Sequence, residues 1–92
     1  GEGAVVYRRN PDLLGPMSVF GYDYLAAHYG AERAAKLALR GDYAYEALNL
    51  VDGRRSVQEV RDRLSAIYGE VSLAAVAQYL RALEEIEAVR IR

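Results

Sequence analysis

The apolar residues in the second half of the chain recur at helical spacing. Ser56 and Glu59 stand directly before the first apolar run and form the pattern of a capping box, in which each side chain bonds the backbone amide of the other residue. The run then places one stripe along a helix that should end at Gly69: Val57, Val60, Leu64 and Ile67. The pattern predicts a helix that begins after Ser56.

A second amphipathic helix is predicted after Ser72. Its apolar positions recur every three or four residues: Leu73, Val76, Ala77, Leu80, Leu83 and Ile86. Polar and charged residues lie outside this stripe: Gln78, Arg81, Glu84 and Glu85. The spacing indicates a helix of about four turns with one buried side.

Three further helices are predicted in the first half of the chain. Ser18 can cap the first, which should stop at Gly30, a residue that tolerates the left-handed conformation at a helix end. The second spans residues 31 to about 40. The third spans residues 43–51, before a turn at residues 52–53, and should be largely buried because its apolar residues recur at helical spacing.

Both ends of the chain have the pattern of short β-strands. Residues 4–8 are rich in β-forming side chains, and residues 88–92 alternate apolar and basic positions. A lone strand leaves its backbone groups unpaired, so these segments should pair with each other or form the edge ribbon of a helical domain. Residues 10–16 hold both prolines and are expected to form a loop.

The order of helix, tight connection, capped helix, short loop, capped helix and terminal β segment is that of a winged helix-turn-helix. We therefore expect a mainly α fold with a small β ribbon. Residues 1–17 would form an N-terminal strand and a Pro/Gly linker, and residues 18–92 a winged-helix domain. A plain helical bundle with frayed ends is the alternative.

Length and composition narrow the function. The 92 residues, 52 % of them apolar, suffice for one small domain, and the lack of cysteine excludes disulfides, thiolate zinc sites and thiol nucleophiles. The net charge of −1 argues against a polyanionic partner. No apolar run approaches the roughly 20 residues of a membrane span. The first residues carry no secretory signal pattern, which favours a cytoplasmic location, although a signal on a longer parent chain would not be visible.

The residues for catalysis or metal binding are sparse. His28 and Glu32 have the spacing of two ligands on one helix face, but Gly30 should break the helix between them and no further ligand is evident. A serine nucleophile needs a base within hydrogen-bond reach, and His28 is the only histidine that could act as that base. We expect no catalytic residues, no metal and no cofactor.

Tyrosines and arginines are the candidate interaction residues. With eight tyrosines and one phenylalanine, tyrosine must supply core packing, a docking surface, or both, and Tyr22 and Tyr45 are the candidates for the surface. Eight arginines can form one basic face if the terminal ribbon lies beside the turn before residue 56: Arg8, Arg9, Arg54, Arg55, Arg61, Arg63, Arg90 and Arg92. Against DNA binding, the outer side of the last helix and the residue after it carry one arginine and three glutamates, a net charge of −2.

A family resemblance is carried by two stretches: residues 45–60, YEALNLVDGRRSVQEV, and residues 79–84, YLRALE. Together they resemble the small winged-helix domain at the C-terminus of some bacterial zinc aminopeptidases, and residues 11–24, with GPMS at 15–18, resemble the linker that leads into it. The resemblance implies an accessory module of a peptidase. It carries no zinc ligand or catalytic carboxylate onto this chain.

A looser similarity involves the LVDG turn at residues 50–53 and the two helices that follow. It is to the peptide-binding winged-helix proteins of pyrroloquinoline-quinone biosynthesis, and implies a leader peptide held against a strand edge and the third helix.

These observations favour a non-catalytic module that docks on a protein partner, most simply another domain of its own parent chain, with a homodimer also possible. Its candidate surface residues are Tyr22, Tyr45, Arg54, Arg55, Val89 and Ile91. One alternative is a DNA-binding regulator that uses Arg54, Arg55, Arg81 and the terminal arginines. Another is peptide capture by addition of a strand near residues 89–91.

Overall fold

The computed structural model describes residues 2–10, 18–19, 22–39 and 41–92, with a few side chains in these ranges left undescribed. The described chain is mainly helical. Its α-helices are α1 (Tyr24–Tyr29), α2 (Ala31–Ala35), α3 (Gly41–Asn49), α4 (Val57–Tyr68) and α5 (Leu73–Glu85). Its strands are β1 (Tyr7–Arg9), β2 (Ser18–Val19), β3 (Tyr22–Asp23) and β4 (Val89–Ile91), and a 3-10 helix spans Glu2–Ala4.

The two ends of the chain pair with each other, as one of the two sequence interpretations predicts. β1 and β4 form an antiparallel ribbon with the register Tyr7 to Ile91, Arg8 to Arg90 and Arg9 to Val89. The other edge of β1 bonds the turn before α4. There the Gly53 amide donates to the Tyr7 carbonyl at 3.0 Å, and the Val57 amide donates to the Val5 carbonyl at 2.8 Å. β1 therefore lies between this turn and β4.

The core is built by α3, α4, α5 and the ribbon. Its most deeply buried large side chains are Val57, Val60, Leu64, Val76, Leu80, Leu83 and Val89. The predicted capping box of α4 is confirmed, because Ser56 Oγ accepts from the Glu59 amide at 3.2 Å and Glu59 Oε1 accepts from the Ser56 amide at 2.9 Å. Ser72 caps α5 by accepting from the Ala75 amide at 3.0 Å. These caps are local bonds, so neighbouring residues alone specify where both helices start.

The predicted helix from Ser18 is wrong over its first half. The segments Ser18–Val19 and Tyr22–Asp23 pair as antiparallel strands, and the helix begins at Tyr24. β-branched and aromatic side chains fit a strand better than the start of a helix. The predicted end is confirmed, since Gly30 follows α1 with a φ of 100°.

The second helix is shorter than predicted. α2 ends at Ala35, and residue 40 lies outside the described residues. Leu37 and Leu39 follow in non-helical backbone, and both are buried, with exposures of 3 % and 4 %. Residues two apart point about 200° apart around a helix, so a helix would direct only one of them into the core. Unwinding after Ala35 lets both leucines enter it.

The third helix lies close to its prediction. α3 begins and ends two residues before the expected bounds of 43 and 51, within the usual variation of helix ends. Ala47 and Leu48 are buried, and Leu50 and Val51 are buried in the segment that follows. Asn49 is the one exposed side chain among those described in the helix.

Candidate functional site

Exposed arginines gather on one side of the terminal ribbon. The amide of Asn10 donates to Ala88 and that of Arg92 donates to Val6, at 3.0 and 2.9 Å. These bonds lie two residues to either side of Arg8 and Arg90, which makes those two arginines a hydrogen-bonded cross-strand pair. Side chains of such a pair share a face, and the side chain two residues on, Arg92, points the same way.

Arg54 joins this group through the turn before α4. Gly53 has a φ of 80°, and a Cβ at this position would lie 3.5 Å from the Arg8 Cβ, so the turn packs directly against β1. Arg54 is the next residue and is exposed. We call the four side chains of Arg8, Arg54, Arg90 and Arg92 the arginine face. The ribbon thus lies beside the turn, which is the arrangement that the predicted basic face requires.

Asp52 organises the turn. Its Oδ1 accepts hydrogen bonds from the amides of Arg54 and Arg55 at 2.9 and 2.8 Å. These bonds, that from Arg55 first, lower the pKa of Asp52 below its ordinary value. The Arg55 side chain turns inward, where it donates to the Leu50 carbonyl at 3.2 Å and lies 3.4 Å from Asp52 Oδ2. Arg54 and Arg55 were both predicted for the surface, but the Arg55 side chain bonds within the turn.

No arginine of the face forms an ion pair in the described part of the chain, although the charge of Arg54 acts on nearby Asp52. The ion pairs found there join Arg33 to Glu85, Arg55 to Asp52 and Arg61 to Asp62. All four arginines of the face are exposed. The face is a concentrated positive surface on a chain whose net charge is −1.

The outer side of α5 contacts the segment that follows α1. Arg33 Nη2 lies 2.8 Å from Glu85 Oε2, and its guanidinium carbon lies 4.0 Å from the centre of the Tyr29 ring. Further along, Gln78 Oε1 accepts from the Ala38 amide at 3.2 Å. The polar residues that the sequence places outside the apolar stripe of α5 are thus partly engaged within the domain.

An apolar patch lies at the C-terminal end of α4. Ile67 is 58 % exposed and Tyr68 is 42 % exposed. The Tyr43 ring packs on that of Tyr68 with centroids 5.2 Å apart, and its hydroxyl donates to the Tyr68 carbonyl at 3.0 Å. Ile67 lies on the predicted apolar stripe but is exposed, because the stripe of α4 continues one turn past the residues it packs against. We call Ile67 and Tyr68 the α4 end patch.

The remaining predicted surface residues have different places. Ile91 is 53 % exposed on β4, whereas Val89 is fully buried and offers no side-chain surface to a partner. Tyr22 lies in β3 and Tyr45 in α3, and their side chains lie outside the described residues.

The described tyrosines serve both predicted uses. Tyr7 and Tyr79 are core residues, Tyr29 and Tyr43 pack partly buried against the core, and Tyr68 is exposed. Sequence reasoning did not single out Tyr68. Its position directly before the helix-ending Gly69 was the available signal, because a last helical turn often extends beyond a core.

The side chains considered for metal binding or catalysis have the following places in the described ranges. His28 lies in the last turn of α1 and Glu32 lies in α2, with Gly30 between the two helices. No group of three or more metal-ligating side chains occurs among the residues described. Ser56 and Ser72 cap helices, and Ser65 Oγ accepts from the Val71 amide at 3.2 Å. In the same ranges, no helix has the length and apolar character needed to cross a bilayer.

Fold and surfaces together define a small, mainly helical domain whose ends are joined in a ribbon. Comparisons with protein-family models, curated proteins and solved structures give no significant match. The resemblance to the winged-helix module of zinc aminopeptidases stays an expectation that rests on residues 45–60 and 79–84.

Proposed function

We propose that this chain is a non-catalytic winged-helix module that docks on another protein domain through the α4 end patch. The observation that carries the proposal is Ile67, which continues the stripe of Val57, Val60 and Leu64 but is 58 % exposed. Full burial of such a side chain stabilises an assembly by about 1.5 to 3 kcal/mol. A partner domain of the same parent chain is the simplest occupant, because the resemblance is to a module attached to a larger enzyme.

The element order supports the winged-helix part of the proposal. α4 and α5 are consecutive helices joined by residues 69–72, and β4 follows α5 directly into the ribbon. In this arrangement α4 and α5 are the helix-turn-helix pair, and β1 completes the small sheet between β4 and the turn before α4.

DNA binding is the second candidate, because the arginine face is suited to phosphate contacts. Two observations favour protein docking instead. α5, the helix that would enter the major groove, is bonded on its outer side by Arg33 and by the Ala38 amide. Its exposed Glu85 would also face phosphates once the bond to Arg33 broke. A gel shift with duplex DNA at increasing salt distinguishes the two, since phosphate contacts weaken steeply with ionic strength.

Peptide capture by strand addition is the third candidate. The outer edge of β4, where a peptide strand would pair, is short. In the β1–β4 ribbon, Val89 and Ile91 occupy the non-hydrogen-bonded positions, so their backbone groups point away from β1. Val89 has no exposed surface, whereas Ile91 is half exposed. The described edge therefore offers one accessible residue, fewer than the usual length of a paired strand.

Site-specific photo-crosslinking in the full-length natural protein tests the docking proposal. A photoreactive amino acid at position 67 should give a defined cross-link to another domain, located by mass spectrometry. Position 62 is the matched control, because Asp62 is exposed on the same helix but about 140° around its axis. Cross-links of equal yield at both positions, or none at position 67, would overturn the proposal.

A further inference from the structure

We infer that the arginine face is a second docking surface, which binds a carboxylate-rich segment of a protein partner. The inference rests on the proposed function in that the partner is a protein. It concerns a different surface from the α4 end patch, one that is positively charged rather than apolar. The four arginines make up a third of the 12 basic residues of the chain.

The ribbon carries unfavourable electrostatics when nothing is bound to it. Arg8 and Arg90 are a hydrogen-bonded cross-strand pair, with Cα atoms typically about 5.5 Å apart. Like charges directly opposite each other destabilise a strand pair. Arg92, two residues along on the same face, adds a third positive charge. An anionic partner would relieve this repulsion.

The carboxylates at the adjoining turn form no ion pair with the arginine face, although the charge of Arg54 acts on Asp52. Asp52 Oδ1 accepts from the amides of Arg54 and Arg55, and its Oδ2 lies nearest the Arg55 guanidinium. Glu59 Oε1 accepts from the Ser56 amide in the capping box. Both carboxylates bond backbone groups of the turn, and the closest charge partner of Asp52 is Arg55, which lies outside the face.

The setting favours a protein carboxylate over a phosphate polymer. Ile91 lies between Arg90 and Arg92 in the sequence, so its side chain points to the other face of β4, where it is 53 % exposed. The free end of β4 therefore has positive charge on one face and apolar contact area on the other, which suits a strand-like partner that alternates acidic and apolar side chains. Arginine beside apolar side chains is typical of protein interfaces. Guanidinium groups bind carboxylates through paired hydrogen bonds, which gives such a contact direction as well as charge. We therefore assign the face to glutamate or aspartate side chains interspersed with apolar ones.

The test is a nuclear magnetic resonance titration of the chain with a short peptide that alternates glutamate and leucine. The amide signals of Arg8, Arg54, Arg90 and Ile91 should shift most. A peptide with glutamine in place of glutamate should shift them far less, and added salt should weaken the binding of the acidic peptide.

Charge-removing variants locate the surface. The double substitution Arg8→Gln and Arg90→Gln should weaken binding of the acidic peptide by about 3- to 10-fold, as expected for the loss of two exposed charge pairs. Arg63→Gln is the matched control, because Arg63 is an exposed arginine of α4 rather than of the ribbon or its turn, and it should leave the affinity unchanged. Thermal unfolding of the double variant should match or exceed that of the parent, since the substitution removes repulsion.

Three results would overturn the inference: equal affinity in the double variant and the parent, an equal loss in Arg63→Gln, or tighter binding of duplex DNA than of the acidic peptide at the same salt. The last result would assign the face to nucleic acid. An Ile67→Ser variant should leave the peptide titration unchanged. Loss of the cross-link at position 67 with intact peptide binding would therefore count against the α4 end patch alone.

Discussion

The hydroxyl of Tyr43, at the start of α3, donates to the carbonyl of Tyr68 at the end of α4, 25 residues further along the chain. The same hydroxyl lies 3.3 Å from the Gly69 carbonyl. The last carbonyls of a helix have no partners within the helix, so this side chain satisfies groups that would otherwise need water. The contact fixes the end of α4 on which the exposed Ile67 and Tyr68 lie.

Tyr43→Phe should weaken this anchor without removing the ring contact with Tyr68. We expect the free energy of unfolding to fall by about 0.5 to 1.5 kcal/mol, the usual net value of one hydrogen bond. Urea denaturation measures the change. Tyr43→Ala is the comparison and should cost clearly more, because it removes the ring contact as well as the hydroxyl. An unchanged free energy of unfolding in Tyr43→Phe would show that the hydroxyl contributes nothing.

Ser56→Ala should destabilise the domain through the start of α4. The substitution leaves the Glu59 amide without its side-chain acceptor and should lower the free energy of unfolding by about 1 kcal/mol. Ser56→Asp, which keeps an acceptor at the cap, should retain most of the stability. Chemical denaturation of the three proteins measures both effects, and a stable alanine variant would contradict the structural role of the capping box.

Gly53→Ala tests the turn that places Arg54 beside the ribbon. The positive φ of 80° at this position costs a residue with a side chain about 1 to 2 kcal/mol. The added Cβ itself would meet the Arg8 Cβ at an ordinary 3.5 Å, so the loss should come from the backbone. Gly53→Asn should be milder, because asparagine tolerates this region. If asparagine and alanine cost the same, steric contact rather than conformation would be the cause.

The pKa of Asp52 predicts a pH dependence at acid pH. Because hydrogen bonds from the backbone of Arg55 and Arg54 lower its folded-state pKa, its contribution is present above the unfolded value of about 3.9. It is lost as the pH falls through the lower, folded-state pKa. The difference in free energy of unfolding between the parent and Asp52→Asn should thus shrink on acidification. Denaturation curves recorded across this pH range check it, and a constant difference would be inconsistent with the lowered pKa.

The chain should show no peptidase turnover when zinc is supplied. The expectation follows from the described serine hydroxyls, which cap helices or bond locally, and from the separation of His28 and Glu32 by Gly30. A fluorogenic aminopeptide assay with added zinc measures it, with a known zinc aminopeptidase as the positive control. Turnover by the purified chain would refute the non-catalytic proposal.

The sequence predicts which residues belong to the candidate surfaces better than it predicts how they are grouped. The arginines could be named in advance, but their grouping depended on whether the ribbon would lie beside the turn at residue 53. Which of Arg54 and Arg55 faces outward depended on the hydrogen bonds of Asp52 and Leu50. The exposed position of Ile67 was not foreseen, because a periodic stripe shows which side of a helix is apolar but not how far along the helix its neighbours reach.

The sequence by itself determined the features that depend on neighbouring residues. The capped starts of α4 and α5, the glycines with positive φ after α1 and α4, and the apolar stripe through Leu64 all follow from side chains within a few positions of one another. Only the tertiary structure decided the register of Arg8 opposite Arg90 and the unwinding that buries both Leu37 and Leu39. These features depend on contacts between distant segments, whose packing free energy outweighs the local preferences of the residues involved.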